Sequence, residues 1–206
     1  MRHSLWNAET NLLRSAKKLR YLHRKHIRRY RNNDPHVFGI GDSRTGTLSL
    51  SYALQILDIP TVHWPRTDQE PDDEWIPWIK NAPYQGFVDH PISDHYFFKD
   101  LDNHFPQAKF ILTTRKEQPW KESVKQFFSN TPIPSQTSHV NDWYKKRRAH
   151  EKAAKEYIPE GKLAVLPVEA NNKWERLCTL LNKDVPDKPD PHANKRTSLL
   201  NKIKNY

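Results

Sequence analysis

Residues 37–54 read Val-Phe-Gly-Ile-Gly-Asp-Ser-Arg-Thr-Gly-Thr-Leu-Ser-Leu-Ser-Tyr-Ala-Leu, and the fold is decided there. The run His36–Ile40 is short and apolar, as a buried strand is. A polar stretch from Gly41 to Gly46 follows. Leu48, Leu50, Ala53, Leu54 and Leu57 then recur at helical spacing. The segment is strand, loop, helix. Its glycines let the backbone turn tightly and direct several N–H groups at one point, and the helix start adds donors and the positive end of its dipole. Arg44, Thr45, Thr47 and Ser49 add side-chain donors. The combination suits a phosphate-like anion. It differs from the nucleoside-triphosphatase loop G-x-x-x-x-G-K-[ST]. Gly41 and Gly46 keep the glycine spacing, but Thr47 stands in place of the lysine and Leu48 in place of the magnesium-binding hydroxyl.

Outward from the loop, strands and helices alternate. Ile59–Trp64 reads as a second strand. Residues 66–84 are acidic and rich in Trp and Pro, with a short helix over Glu74–Lys80. A third strand, Gly86–Asp89, stops before Pro91, and a helix is expected over Ser93–Asn103. Ala108–Thr114 is the clearest strand, followed by a helix over Pro119–Phe128. Residues 129–140 read as an exposed loop and Asp142–Tyr157 as a strongly charged helix. Leu163–Val168 is a fifth strand, a helix follows over Asn172–Leu181, and the tail is irregular. Such alternation predicts parallel βαβ units. The expected fold is α/β: a P-loop-type three-layer sandwich with a central, mostly parallel sheet of about five strands flanked by helices. Ligands of such sheets bind at the carboxyl ends of the strands.

The net charge is +10 in 206 residues, but residues 1–36 carry ten Lys/Arg against Glu9 and Asp34 and so hold +8 of it. Leu12, Leu13, Ala16, Leu19 and Leu22 predict a basic amphipathic helix there. The reading is therefore a basic helical arm, residues 1–35, and an α/β domain, residues 36–206. Cys178 is the only cysteine, so no intramolecular disulfide forms. Its place beside Trp174, Leu177 and Leu181 predicts a buried residue. No run approaches 18 apolar residues and no secretory leader is legible, so a cytoplasmic protein is expected.

A second anion site is written downstream. The strand AKFILTT ends in Arg115, and Ser123 follows eight residues later on the next helix. Arg at a strand end and Ser on the helix after it can converge on one anion, and the planar guanidinium fork suits phosphate oxygens. Lys116 and Lys121 read as solvated and Trp120 as core.

With both anion sites in view, VFGIGDSRTGTLSLSYAL resembles the donor-binding loop of sulfotransferases that use 3′-phosphoadenosine 5′-phosphosulfate (PAPS), in the branch with an R-T-G-T-x-S-L signature. The resemblance spans about residues 36–194. It implies that Ser43, Arg44, Thr45, Gly46, Thr47 and Leu48 hold the 5′-phosphosulfate and that Arg115 and Ser123 hold the 3′-phosphate. Asp42 departs from the family's neutral residues there, and an acid beside an anion is unfavourable unless it points away or pairs with Arg44. A late basic loop in the family closes over the nucleotide, a part that Lys195 and Arg196 would take.

Sulfuryl transfer needs an acceptor oxygen in line, a base for its proton and cations to balance charge. His63 ends the second strand and Asp89 the third, with His90 beside it. The resemblance makes Asp89 the base, with His63 its partner or the alternative base and Arg44 the cation at the moving group. If Asp89 only orients its neighbour, His90 takes the proton; a helix cap or turn before Pro91 is the purely structural role for Asp89. His95 and His104 read as surface residues. Trp64, Trp75, Trp78, Tyr84, Phe127 and Phe128 are candidates for the acceptor pocket or for the core.

The implied activity is PAPS-dependent sulfuryl transfer to a hydroxyl of a small molecule or glycan, leaving 3′,5′-adenosine bisphosphate (PAP). Nothing in the sequence demands a metal. Two other readings compete: a P-loop nucleotide kinase, disfavoured by Thr47 and Leu48, and a polyanion-binding protein acting through the basic arm, with Tyr21 and Tyr30 interleaved. No specific nucleic-acid motif accompanies the arm, which suits an acidic partner or an anionic membrane surface.

Overall fold

The structure, a computed structural model, describes residues 35–65, 75–129 and 139–193. Five strands form one sheet: β1 (Val37–Gly39), β2 (Thr61–His63), β3 (Gly86–Val88), β4 (Lys109–Thr114) and β5 (Leu163–Pro167). The order is β2-β3-β1-β4-β5, and every pairing is parallel. The described helices are α1 (Thr47–Ile56), α2 (Trp75–Asn81), α3 (Phe97–His104), α4 (Glu117–Ser129), α5 (Val140–Tyr157) and α6 (Lys173–Leu181), with a 3-10 turn at Glu160–Lys162. The three-layer α/β expectation holds, and the sheet is parallel throughout.

The strands other than the edge strand β2 (Thr-Val-His) are largely apolar because both sheet faces are covered, so alternate side chains enter different cores. Phe38, Phe87, Phe110 and Leu112 point to one face and pack with Ile79, Phe98, Leu101, Ala154 and Ile158 from α2, α3, the α5 helix and the residue after it. Val37, Val88, Ile111 and Leu166 point to the other and pack with Leu50, Leu54, Trp174, Leu177 and Cys178 from α1 and α6. Cys178 is buried, as its helical neighbours predicted.

Several boundaries shift. The second strand is Thr61–His63 rather than Ile59–Trp64, because Trp64 enters the left-handed region at φ 52°. The third stops at Val88, since Asp89 has φ 75°. The expected helix over Ser93–Asn103 begins only at Phe97: residues 89–96 form turns, closed by Tyr96 at φ 66°. Lys121, expected in solvent, is partly buried, bonded to Glu117 at 2.5 Å and set 5.1 Å from the Tyr144 ring. Trp75, Trp78 and Tyr84 do not reach the cleft described below; Trp78 and Tyr84 pack at the first core, with Trp75 edge-on to Trp78. The basic arm, most of loop 129–140 and Lys195 and Arg196 lie outside the described residues. No helix among the described residues is long and apolar enough to cross a membrane.

Two features of the sheet position the site. His63, Val88 and Gly39 are level across β2, β3 and β1, so these strands end flush. β1 leads by α1 toward β2, while its neighbour β4 leads the other way toward β5. The crevice between their carboxyl ends is the switch point at which such sheets bind ligands.

Candidate active site

A cleft of about 680 Å³ opens at that point, within the range of small-molecule sites. Its floor is the loop between β1 and α1. Gly41 lets the loop pass over β4: a Cβ there would lie 2.0 Å from Thr113 Oγ1 and 2.5 Å from the Thr113 carbonyl oxygen. Gly46, at φ 95°, makes the last turn into α1, and no side chain caps the helix.

The loop carbonyls are held from beneath. Thr45 Oγ1 donates to Asp42 O and pairs with Thr113 Oγ1 at 2.7 Å. Trp120 Nε1 donates to Ser43 O at 3.0 Å, and Arg115 Nη1 donates to Arg44 O at 3.2 Å. Peptide planarity turns the N–H after a carbonyl the opposite way, so with Ser43 O bonded to the Trp120 indole the Arg44 amide points away from that indole. Together with the uncapped start of α1 this arrangement can cradle an anion. The Thr45 hydroxyl is spent inside the loop, and its backbone N–H also turns inward, donating to Asp42 O at 3.3 Å.

Arg44 does not stand over the cradle. It crosses to α4, where its Nε donates to Ser123 Oγ at 3.1 Å and its guanidinium lies 5.2 Å from the Phe127 ring. Arg44, Arg115 and Ser123, read as parts of two sites, thus converge. Burial and the nearby Arg115 charge push the Arg44 pKa down from its ordinary value, although Asp89 acts the other way. No carboxylate among the described residues pairs with Arg44 or Arg115.

Asp42 turns back on its neighbour, Oδ1 accepting from Ser43 N at 2.7 Å. Burial outweighs this bond and pushes the carboxyl pKa up to about 6.

His63 and Asp89 meet beside the cradle. Asp89 is buried and its carboxylate accepts four bonds: from Ser43 Oγ at 2.8 Å and His90 N at 2.9 Å on Oδ1, and from Thr47 Oγ1 at 3.0 Å and His63 Nε2 at 3.1 Å on Oδ2. Burial raises its pKa, but the bonds from His63 and Ser43, the His63 charge and the His90 amide bring it down to about 2. An ionised carboxylate only accepts, so His63 Nε2 carries a proton and, in the neutral ring, Nδ1 is the basic nitrogen. His90 is exposed and bonds Asp94 at 2.7 Å through Nδ1. His95 and His104 are exposed, as expected, and His95 also edges the cleft.

Trp64, Phe127, Phe128 and Trp143 line the cleft, and Leu166, Val168, Leu177 and Pro191 add apolar wall to it. Residues 190–193 are tied in by Ala193 N donating to Ser49 Oγ at 3.0 Å and by the Lys173–Asp190 pair at 2.7 Å. Sequence reasoning missed Arg147 and His150, both buried on α5. Arg147 Nη2 donates to Arg115 O, and His150 Nε2 bonds Ile40 O at 2.9 Å, so one helix face holds the ends of β4 and β1. The signal was the i, i+3, i+4 spacing of Arg147, His150 and Glu151, hidden in a run of charge that reads as a solvated face.

The model of the sulfotransferase domain matches residues 36–149 and 135–199, and the first segment alone exceeds half the chain. The protein belongs to this sulfotransferase family. A search of curated proteins found no match.

Proposed function

We propose that the protein transfers a sulfuryl group from PAPS to a hydroxyl acceptor. The observation that carries this reading is the convergence of Arg44, Arg115 and Ser123, without a carboxylate counterpart among the described residues, beside a loop whose carbonyls are bound from below. Two guanidinium groups held close call for a ligand with more than one negative charge. The same loop offers Thr47 and Leu48 where a magnesium nucleotide needs lysine and a hydroxyl, so the kinase alternative is set aside.

On this reading the cradle and the first turn of α1 take the 5′-phosphosulfate, Arg115 and Ser123 take the 3′-phosphate, and the wall of Leu166, Val168 and Leu177 receives the purine. The acceptor enters from the side of His63 and Trp64. Its hydroxyl oxygen bonds to sulfur as the bond from sulfur to the bridging phosphate oxygen breaks. The hydroxyl proton passes to His63 Nδ1, and the bisphosphate leaves with the bridging oxygen and its electron pair. Asp89, at a pKa of about 2 and with four donors on it, is a poor base; it holds His63 in the tautomer that exposes Nδ1 and balances the imidazolium that forms. Arg44, whose guanidinium reaches Ser123, adds a second cation beside Arg115 to balance charge on the departing bisphosphate.

Calorimetric titration with PAP, and separately with ATP and magnesium, tests this on wild type and Arg115→Ala. PAP is expected to bind wild type tightly and the variant at least tenfold more weakly, with little ATP binding to either. ATP binding without PAP binding would overturn the proposal.

A further inference from the structure

We propose that Arg147 is the positioning residue of the 3′-phosphate clamp, an inference that rests on the donor reading above. Arg147 is 1% exposed, and a buried arginine needs partners. Nε donates to Glu151 Oε1 at 2.7 Å and Nη2 to Arg115 O. The guanidinium lies 5.1 Å from the Trp120 ring and 5.3 Å from the Tyr144 ring.

Two of those contacts are the residues that hold the loop. Trp120 binds Ser43 O and Arg115 binds Arg44 O. Arg147 therefore fixes, in one planar group, the backbone from which Arg115 projects and the indole that anchors the loop. It does not line the cleft, whereas its helix neighbours Trp143 and Lys146 do, so it acts through Arg115.

Stability alone gives a poor reason for the residue. A buried ion pair is commonly no more stable than apolar residues of the same volume. Here Nη1 is also buried and has no hydrogen-bond partner among the described residues, which is a cost. What a guanidinium does and an apolar side chain or a lysine cannot is bond a carboxylate and a carbonyl at once while its faces pack on aromatic rings. The residue is spent on placement. His150, one turn on, holds Ile40 O in the same way at the end of β1.

The clamp is read out by comparing PAP with adenosine 5′-phosphate, which lacks the 3′-phosphate. In wild type PAP is expected to bind about 100-fold more tightly, as a charge-assisted arginine–phosphate contact provides. In Arg147→Met that preference is expected to fall below about tenfold, while affinity for adenosine 5′-phosphate stays within about threefold. Arg147→Lys, which keeps the charge and loses the fork, is expected to behave like Arg147→Met. Should Arg147→Met fail to fold with Glu151 left unpaired, Arg147→Lys and the double variant Arg147→Met, Glu151→Gln give the same reading. A folded variant that keeps the wild-type preference overturns the inference, and so does an equal loss for both nucleotides, which marks a structural role only. A wild type with no preference for the 3′-phosphate overturns the donor reading itself.

Discussion

At the scale of single residues, the two aspartates beside the loop have opposite electrostatic fates. Asp89 titrates near 2 in the folded protein, below its ordinary 3.8, so its contribution to stability is complete above about pH 4 and is lost as pH falls through about 2. Asp42 titrates near 6, above its ordinary value, so the folded state holds its proton longer. Its effect is a loss of stability as pH rises from about 4 to about 6. Asp42→Asn keeps an oxygen for the Ser43 amide and removes the charge. It is expected to stabilise the protein by about 1–2 kcal/mol at pH 7 and by almost nothing at pH 4, measured by urea unfolding at the two pH values. On the proposed mechanism, His63→Asn is expected to leave PAP affinity within a few-fold and to lower turnover by about 100-fold or more. Unchanged turnover in that variant would return the proton to Asp89 or His90, to be separated by Asp89→Asn.

At the scale of elements, the site depends on the crossing of the loop over β4. Gly41 has no space for a methyl group, and the nearest atoms include the Thr113 backbone, which cannot move without breaking β4 from its neighbours. Gly41→Ala is expected to cost about 3 kcal/mol and to weaken PAP binding at least tenfold, followed by thermal unfolding and calorimetry. Most elements were legible as patterns: the burial of both sheet faces makes the strands other than β2 largely apolar, and the helices keep their apolar stripes. The segment 89–96 was not legible. A strand was expected to run to Asp89 and a helix to begin at Ser93, but left-handed conformations at Asp89 and Tyr96 keep the segment a series of turns, and no periodicity reports that. The charged helix α5 misled in the other direction, since Arg147 and Glu151 neutralise each other inside the protein.

At the scale of the whole molecule, a ligand that binds only the folded state adds its binding energy to stability. At a hundredfold excess over its dissociation constant, PAP is expected to raise the unfolding free energy by about 2.7 kcal/mol, a rise of roughly 5–10 °C in melting temperature for a domain of this size. The same concentration should raise the Arg115→Ala melting temperature far less. An equal shift in both proteins would place the binding elsewhere than at the end of β4.

The sequence alone determined the kind of fold and the chemistry of the loop. Glycine spacing, hydroxyls and an arginine at a strand-to-helix junction are local features, fixed by which backbone conformations and donors a short stretch can offer. The places of Arg115 after a strand end and of Ser123 on the next helix were legible for the same reason. Only the tertiary structure decided which groups face one another. It brought Arg44 onto Ser123, across 79 residues, and set His63 and Asp89 together by ending β2 and β3 at one level. It also turned the charged face of α5 inward, so that Arg147 and His150 hold the ends of β4 and β1. Such contacts depend on strand order, register and burial. A side chain in the sequence carries its charge and its hydrogen-bonding groups, while its partner and its titration are set by what the fold packs against it.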